Sequence, residues 1–224
     1  MKLVNETLSD RVYAEIRRQL VNGGVKPGEV LVIRALADKF GISPTPIRDA
    51  LQRLAAERLL AMLPNRSFAV PSLSRASLLE LSHIRSALES MAGEWATRHA
   101  MPSNIAALQA LIAKSEKAVT ERDSDAYANI NQEFHFAIYE LAGAPILLRK
   151  IDELWVQVGP YFGRLLADET YLPHANALHI EILHALEAGD ASRVGLNIRR
   201  DIMTATEHLQ AHLSDCSPHP SNAG

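Results

Sequence analysis

IRALADKFGISPTPIRDALQRLAAER, residues 33–58, holds two short helical patterns separated by one turn. In the first, Leu36, Ala37 and Phe40 fall on the inner side of a helix from Ile33 to Phe40. Gly41 ends it, because the left-handed residue that closes a helix favours glycine. The second pattern begins within Ser43-Pro44-Thr45-Pro46 and runs to about Arg58, with Ile47, Leu51 and Leu54 as its buried stripe. Ser43 or Thr45 is expected to cap it. Proline is tolerated in the first turn, where backbone N–H groups have no helical partner.

Upstream, Leu8, Val12, Ile16 and Leu20 form the stripe of an amphipathic helix that stops at Asn22-Gly23-Gly24, and Lys26-Pro27-Gly28-Glu29 reads as a turn. Downstream, Leu59 to Leu63, the turn Pro64-Asn65-Arg66, and Ser67 to Val70 read as a small β-hairpin, with Pro71-Ser72 as a linker. Helix, short helix, turn, helix and hairpin in that order predict a winged helix-turn-helix. Such a unit lays the N-terminal end of its second helix in the major groove. That end carries Thr45 and Arg48, with Gln52 a turn further on; Arg34 opens the preceding helix, and Arg66 stands at the hairpin tip. The other reading is an ordinary solvated face. Charge favours a polyanion partner, since residues 1–73 hold 11 Lys+Arg against 7 Asp+Glu, whereas residues 74–224 hold 12 against 19. One such unit buries little DNA, so a homodimer on a palindromic double-stranded site is expected.

The remaining sequence sets the frame. Of 224 residues, 47% are hydrophobic and 22% charged, enough for two modest domains with real cores. Cys216 is the only cysteine, which excludes an internal disulfide and a thiolate zinc site. With no signal peptide and no apolar run of membrane length, a cytoplasmic protein without membrane contact is expected. From Ser74 to about Leu213 nearly everything has helical period, in six segments near 75–99, 103–122, 124–142, 145–167, 174–188 and 191–213. The predicted fold class is therefore mainly α, with a winged helix-turn-helix over 1–73 and an all-helical bundle over 74–213. The tail, 214–224, lacks an apolar pattern and is expected to be disordered.

Within the second part, Asn131 and His135 stand four residues apart and share one helix face. His179 lies 10 residues before Gly189 and Asp201 lies 11 after Asp190. If the Gly189-Asp190 turn folds the last two helices back on each other, both sit about 15 Å from it and face one another. Asp201 also interrupts the apolar stripe Val194, Ile198, Ile202, Ala205 and Leu209, and a carboxylate so placed needs a partner. Two imidazoles and a carboxylate in a bundle suit Zn²⁺, Ni²⁺ or Mn²⁺ with open positions for a ligand. They equally suit a polar network bonded only to itself. An enzyme with a water-activating metal is a competing class, although no Glu-x-x-His pair and no His-Glu-x-x-His helix occurs. An interaction protein is a third class, but it has no need of Arg34, Arg48 and Arg66 around a wing. Trp95 and Trp155 read as core or interface.

Pro27-Gly28-Glu29, Leu36-Ala37, Gly41-Ile42-Ser43, Thr45-Pro46-Ile47-Arg48-Asp49-Ala50-Leu51 and Arg53-Leu54 closely resemble the GntR family of bacterial regulators in order and spacing. The helical remainder resembles that family's FadR branch, whose effector domain is named FCD. The resemblance implies a transcription regulator, not an enzyme, whose second domain binds an effector. It also implies a metal held by Asp and His four residues apart and by two further histidines. Here His135 and His179 match, Asn131 stands for the aspartate and Asp201 for the last histidine; metal-independent members of the branch keep that alternative open. Arg85, by the same resemblance, lies in the effector cavity, where a guanidinium grips a carboxylate, so a small organic acid is the expected effector. The competing reading is a surface arginine paired with Glu89 at i+4. Arg199 and Arg200 are alternates for the same role. The chain departs from the family at Pro44, where arginine is usual, and at Arg58 and Ser67, where glycine is usual.

Overall fold

A computed structural model of the chain describes residues 6–64, 67–167 and 171–211. Helix α1, Leu8–Val21, opens with a capping box: Thr7 Oγ1 accepts from the Asp10 N–H at 3.1 Å, and the Asp10 carboxylate accepts from the Thr7 N–H at 3.0 Å. Its Val12, Ile16 and Leu20 are buried on the side that packs against α3, Pro44–Ala56, on which α2, Ile33–Phe40, also packs. Gly41 closes α2 at φ 66°, as the sequence predicts. The stripe Ile47, Leu51 and Leu54 of α3 is fully buried.

Two details differ from the sequence reading. Ser43 occupies the cap position of α3 but its side chain makes no capping bond, and Thr45 lies inside the helix. The wing is a three-stranded sheet, not a hairpin alone. Strand β1, Val30–Leu31, pairs antiparallel with β3, Phe68–Ala69, which also pairs with β2, Ala61–Met62. Two residues are too few to show a strand's alternation, so β1 reads as part of the preceding turn. Arg58, where the family has glycine, takes the left-handed conformation at φ 61°. Arg66 and the tail beyond 211 lie outside the described residues.

The second part is a helical bundle: α4 Arg75–Ala96, α5 Pro102–Glu121, α6 Ser124–Glu140, α7 Pro145–Leu166, α8 Tyr171–Glu187 and α9 Ala191–Ala211. Ser74 and Asp123 cap α4 and α6 by accepting from the N–H groups of Ser77 and Ala126. The expected break at Leu172-Pro173 is absent, because Pro173 sits in the first turn of α8 and costs no helical hydrogen bond there. Gly189, at φ 67°, turns α8 back onto α9; α9 packs along α4 and α8 along α5. No helix among the described residues is long and apolar enough to cross a membrane.

The two parts meet where the end of α1 lies on α7. Gly159 and Gly163 bring α7 against the backbone of Leu20, Val21 and Gly23. Arg17 pairs with Asp152 beside this contact, and Asn22 donates to Asn129 at 2.6 Å. Leu73, at the start of the bundle, donates its N–H to Tyr161 Oη on α7 at 2.5 Å.

Candidate functional site

The first site is a concave face of about 730 Å³ lined by Ile33, Arg34, Pro44, Arg48, Gln52, Met62 and Phe68. Three elements build it: the first turn of α2, the exposed side of α3, and the wing. Three of the five residues expected to touch DNA, Arg34, Arg48 and Gln52, are brought together there. Thr45 is exposed in the first turn of α3. Arg34 and Arg48 are exposed and form no ion pair among the described residues. Arg53 on the same helix is committed elsewhere, since it stacks 3.8 Å over Tyr13 and pairs with Asp10 and Glu57. Uncommitted cations on a concave face suit phosphate and base-edge contacts.

The second site lies in the middle of the bundle. His135 on α6, His179 on α8 and Asp201 on α9 are all buried. His135 Nε2 is 3.2 Å from His179 Nε2 and 3.3 Å from Asp201 Oδ2, and His179 Nε2 is 3.6 Å from Asp201 Oδ1. One donor atom from each falls within 4.8 Å of the others. Asn131, the fourth expected member, is half-buried one turn before His135. Two imidazole nitrogens and one carboxylate, converging within 4.8 Å, are a donor set that fits a divalent transition metal.

The protonation pattern suits that set. Tyr139 Oη donates to Glu89 at 2.8 Å, so its lone pair accepts from His135 Nδ1–H at 3.1 Å. This fixes the His135 tautomer and leaves Nε2 as a lone pair facing His179 and Asp201. Burial pushes the His179 imidazole down to about 4, with His135 adding to the fall and Asp201 opposing it. His179 is therefore neutral at physiological pH, and no proton has to leave before it can ligate. Burial pushes Asp201 up, but the nearby His135, His179 and Arg85 outweigh it and hold the carboxyl below its ordinary value.

Around this centre stands a network that the sequence reading largely missed. Glu89 on α4 has 0% exposure and accepts from Arg85 Nε at 2.7 Å, Tyr139 Oη at 2.8 Å and Trp155 Nε1 at 2.8 Å. The expected Arg85–Glu89 pair exists, but it is buried and not on the surface. Arg85 also lies 4.8 Å over the Trp155 ring, and its Nη1 makes no hydrogen bond among the described residues. Tyr127, two turns before His135 on the same face of α6, is a second missed residue. Its hydroxyl is buried without a partner among the described residues, and burial together with Asp201 raises its pKa. Arg199 and Arg200 are both exposed, and Arg200 pairs with Glu181 at 2.7 Å.

Known families and proteins match both parts. The FCD domain matches residues 80–215, and the family described as bacterial regulatory proteins, gntR family, matches residues 8–70. The chain is 36% identical over 187 residues to the HTH-type transcriptional regulator McbR of Escherichia coli, covering 84% of each. It is 24% identical to the HTH-type transcriptional repressor GlaR of the same organism, over 88% of this chain and 94% of that one. The solved structure of E. coli McbR superposes with a TM-score of 0.87 at 31% identity, covering 94% of this chain and 99% of that one. A GntR regulator from Rhodococcus sp. RHA1 shares the fold at a TM-score of 0.77 and 19% identity, over 92% and 99%.

Proposed function

The chain belongs to the gntR family of bacterial regulatory proteins, with an FCD domain as its second part, and from that premise we propose how this regulator reads DNA and what it senses. The family consists of DNA-binding transcriptional regulators, which answers the enzymatic alternative, and its members bind DNA operators and small-molecule effectors. This chain reads a palindromic operator as a homodimer, through Arg34, Thr45, Arg48, Gln52 and Arg66. Its FCD domain holds a divalent metal, Zn²⁺, Ni²⁺ or Mn²⁺, on His135, His179 and Asp201 with Asn131 beside them. The effector is a small organic acid bound next to that metal. One observation carries the sensing reading: two imidazoles and a carboxylate converge within 4.8 Å inside the bundle. A bound metal supplies a Lewis-acidic point to which a carboxylate can attach. The free Nη1 of Arg85 and the unpartnered Tyr127 hydroxyl offer hydrogen-bond donors for the rest of an anionic, oxygen-rich ligand.

Two expected results test this reading. Arg48→Ala weakens specific operator binding by roughly 1–3 kcal/mol if Arg48 contacts a base, measured by titration of a duplex selected from a random pool. An unchanged affinity for that duplex removes Arg48 from the interface. The second test combines His135→Ala with His179→Ala. Elemental analysis of the double variant should find no stoichiometric metal, and small carboxylates that raise the wild-type melting temperature should no longer do so. Metal retained at one equivalent by the double variant would show that the centre lies elsewhere.

A further inference from the structure

The concave face that carries Arg34, Arg48 and Gln52 also has an apolar part, to which phosphate and hydrogen-bond contacts assign no role. Pro44, exposed at the first position of α3, lines it. A proline has no N–H, so at a helix N-terminus it gives a phosphate no backbone donor and presents only its ring. Met62 lines the same face from the wing. Leu31 and Met62 both stand opposite Phe68 in the sheet register, so the three side chains share one sheet face. Leu31 and Phe68 are buried, whereas Met62, on the outer strand β2, is 68% exposed. The row therefore runs out of the core and ends beside the two arginines.

We infer that Pro44 and Met62 seat the methyl group of a thymine in the operator. This rests on the DNA-reading role proposed for the face and adds a sequence preference to it. In the major groove the base edges offer hydrogen-bond donors and acceptors, and the one apolar group among them is the C5 methyl of thymine. Arg34, Arg48 and Gln52 supply polar partners for phosphates and for other base edges. An apolar surface beside them gains where it covers a methyl. Over any other base edge it strips water from a donor or acceptor and returns nothing. Met62 suits this task, because an unbranched thioether adapts its shape to a small apolar target. The chain departs from its family at Pro44, so the seat belongs to this regulator and not to the family at large.

Thymine and uracil differ by that methyl alone, which makes the operator itself the probe. A duplex selected from a random pool by the full chain is resynthesised with each thymine replaced in turn by deoxyuridine, and affinities are compared at one salt concentration. At one thymine in each half-site the replacement should weaken wild-type binding about fourfold for each methyl withdrawn, the scale of one buried CH₂ group. Met62→Ala and Pro44→Ala should each lower that thymine-to-uracil ratio, and the double variant should bring it to one. Both positions are exposed, so the variants should fold as wild type, which circular dichroism checks. A selected operator in which no thymine methyl matters overturns the seat and leaves the DNA-reading face standing. So does a double variant that keeps the wild-type ratio, because the methyl is then read by another residue. A pool from which the full chain enriches no sequence overturns the DNA-reading face itself.

Discussion

Glu89→Ala should cost roughly 3–5 kcal/mol of folding stability, the loss typical of breaking a buried ion pair from one side. The carboxylate is fully buried and is the shared acceptor for Arg85, Tyr139 and Trp155. Alanine leaves the Arg85 guanidinium charged, buried and without its counter-ion, and it leaves the Tyr139 hydroxyl and the Trp155 indole N–H without acceptors. The damage reaches the proposed metal centre as well, because Tyr139 orients His135 only while its own proton goes to Glu89. Loss of such an orienting partner commonly lowers metal affinity 10–100-fold. Glu89→Gln separates the two effects: its amide oxygen still accepts one or two of these bonds, so it should fall between wild type and alanine in urea denaturation. If Glu89→Ala unfolds within about 0.5 kcal/mol of wild type, the scale of an unremarkable surface change, the network is not holding the bundle together.

Why the sequence revealed Asp201 and hid Glu89 is a matter of contrast. Asp201 is a single carboxylate in a stripe that is otherwise apolar, so the helical period itself singles it out. The buried face of α4 includes Ser82, Arg85, Ser86, Glu89 and Ser90, and so many polar residues blur the difference between inside and outside. Glu89 consequently reads as a surface partner for Arg85. His179 and Asp201 could be matched across the Gly189 turn because an antiparallel hairpin fixes its register by counting residues. Tyr127 was within reach of the same reasoning, standing at i−4 from Asn131 and i−8 from His135, but nothing in sequence tells a phenol with a partner from one without. The winged unit was legible almost throughout, since its helices show strong period and its turn has a required glycine. Strand β1 was not, because its pairing with β3 depends on a partner nearly forty residues away. The contact between α1 and α7 left no trace in periodicity either, for it is made by backbone and not by a stripe of side chains.

That contact yields the prediction on which local propensity and tertiary geometry disagree in sign. Gly159 lies inside α7, and replacing an interior helical glycine by alanine ordinarily stabilises by about 1 kcal/mol. Here a Cβ at Gly159 would lie 2.6 Å from both the Cα and the carbonyl oxygen of Val21, and closer still to the carbonyl oxygen of Leu20. These are backbone atoms, so no rotamer change relieves the overlap; the end of α1 must move off α7. Overpacking of this kind costs typically 1–3 kcal/mol, occasionally more, and outweighs the gain in propensity. Gly159→Ala should therefore lower the urea midpoint, and Gly163→Ala should do so less, because its Cβ would stand 3.3 Å from the Gly23 oxygen. The displaced helix α1 is the one that packs on α3, while α7 carries Trp155, which donates to Glu89, so this joint links the effector domain's polar network to the DNA-reading face. An effector alters DNA affinity only by the difference in its affinity for two arrangements of the protein. Once α1 no longer sits on α7 those arrangements are less strongly tied to the bundle. The ratio of operator affinities with and without carboxylate should then move toward one, measured on the same duplex for wild type and variant. A Gly159→Ala protein as stable as wild type and equally responsive to carboxylate would mean that the two domains communicate by another route.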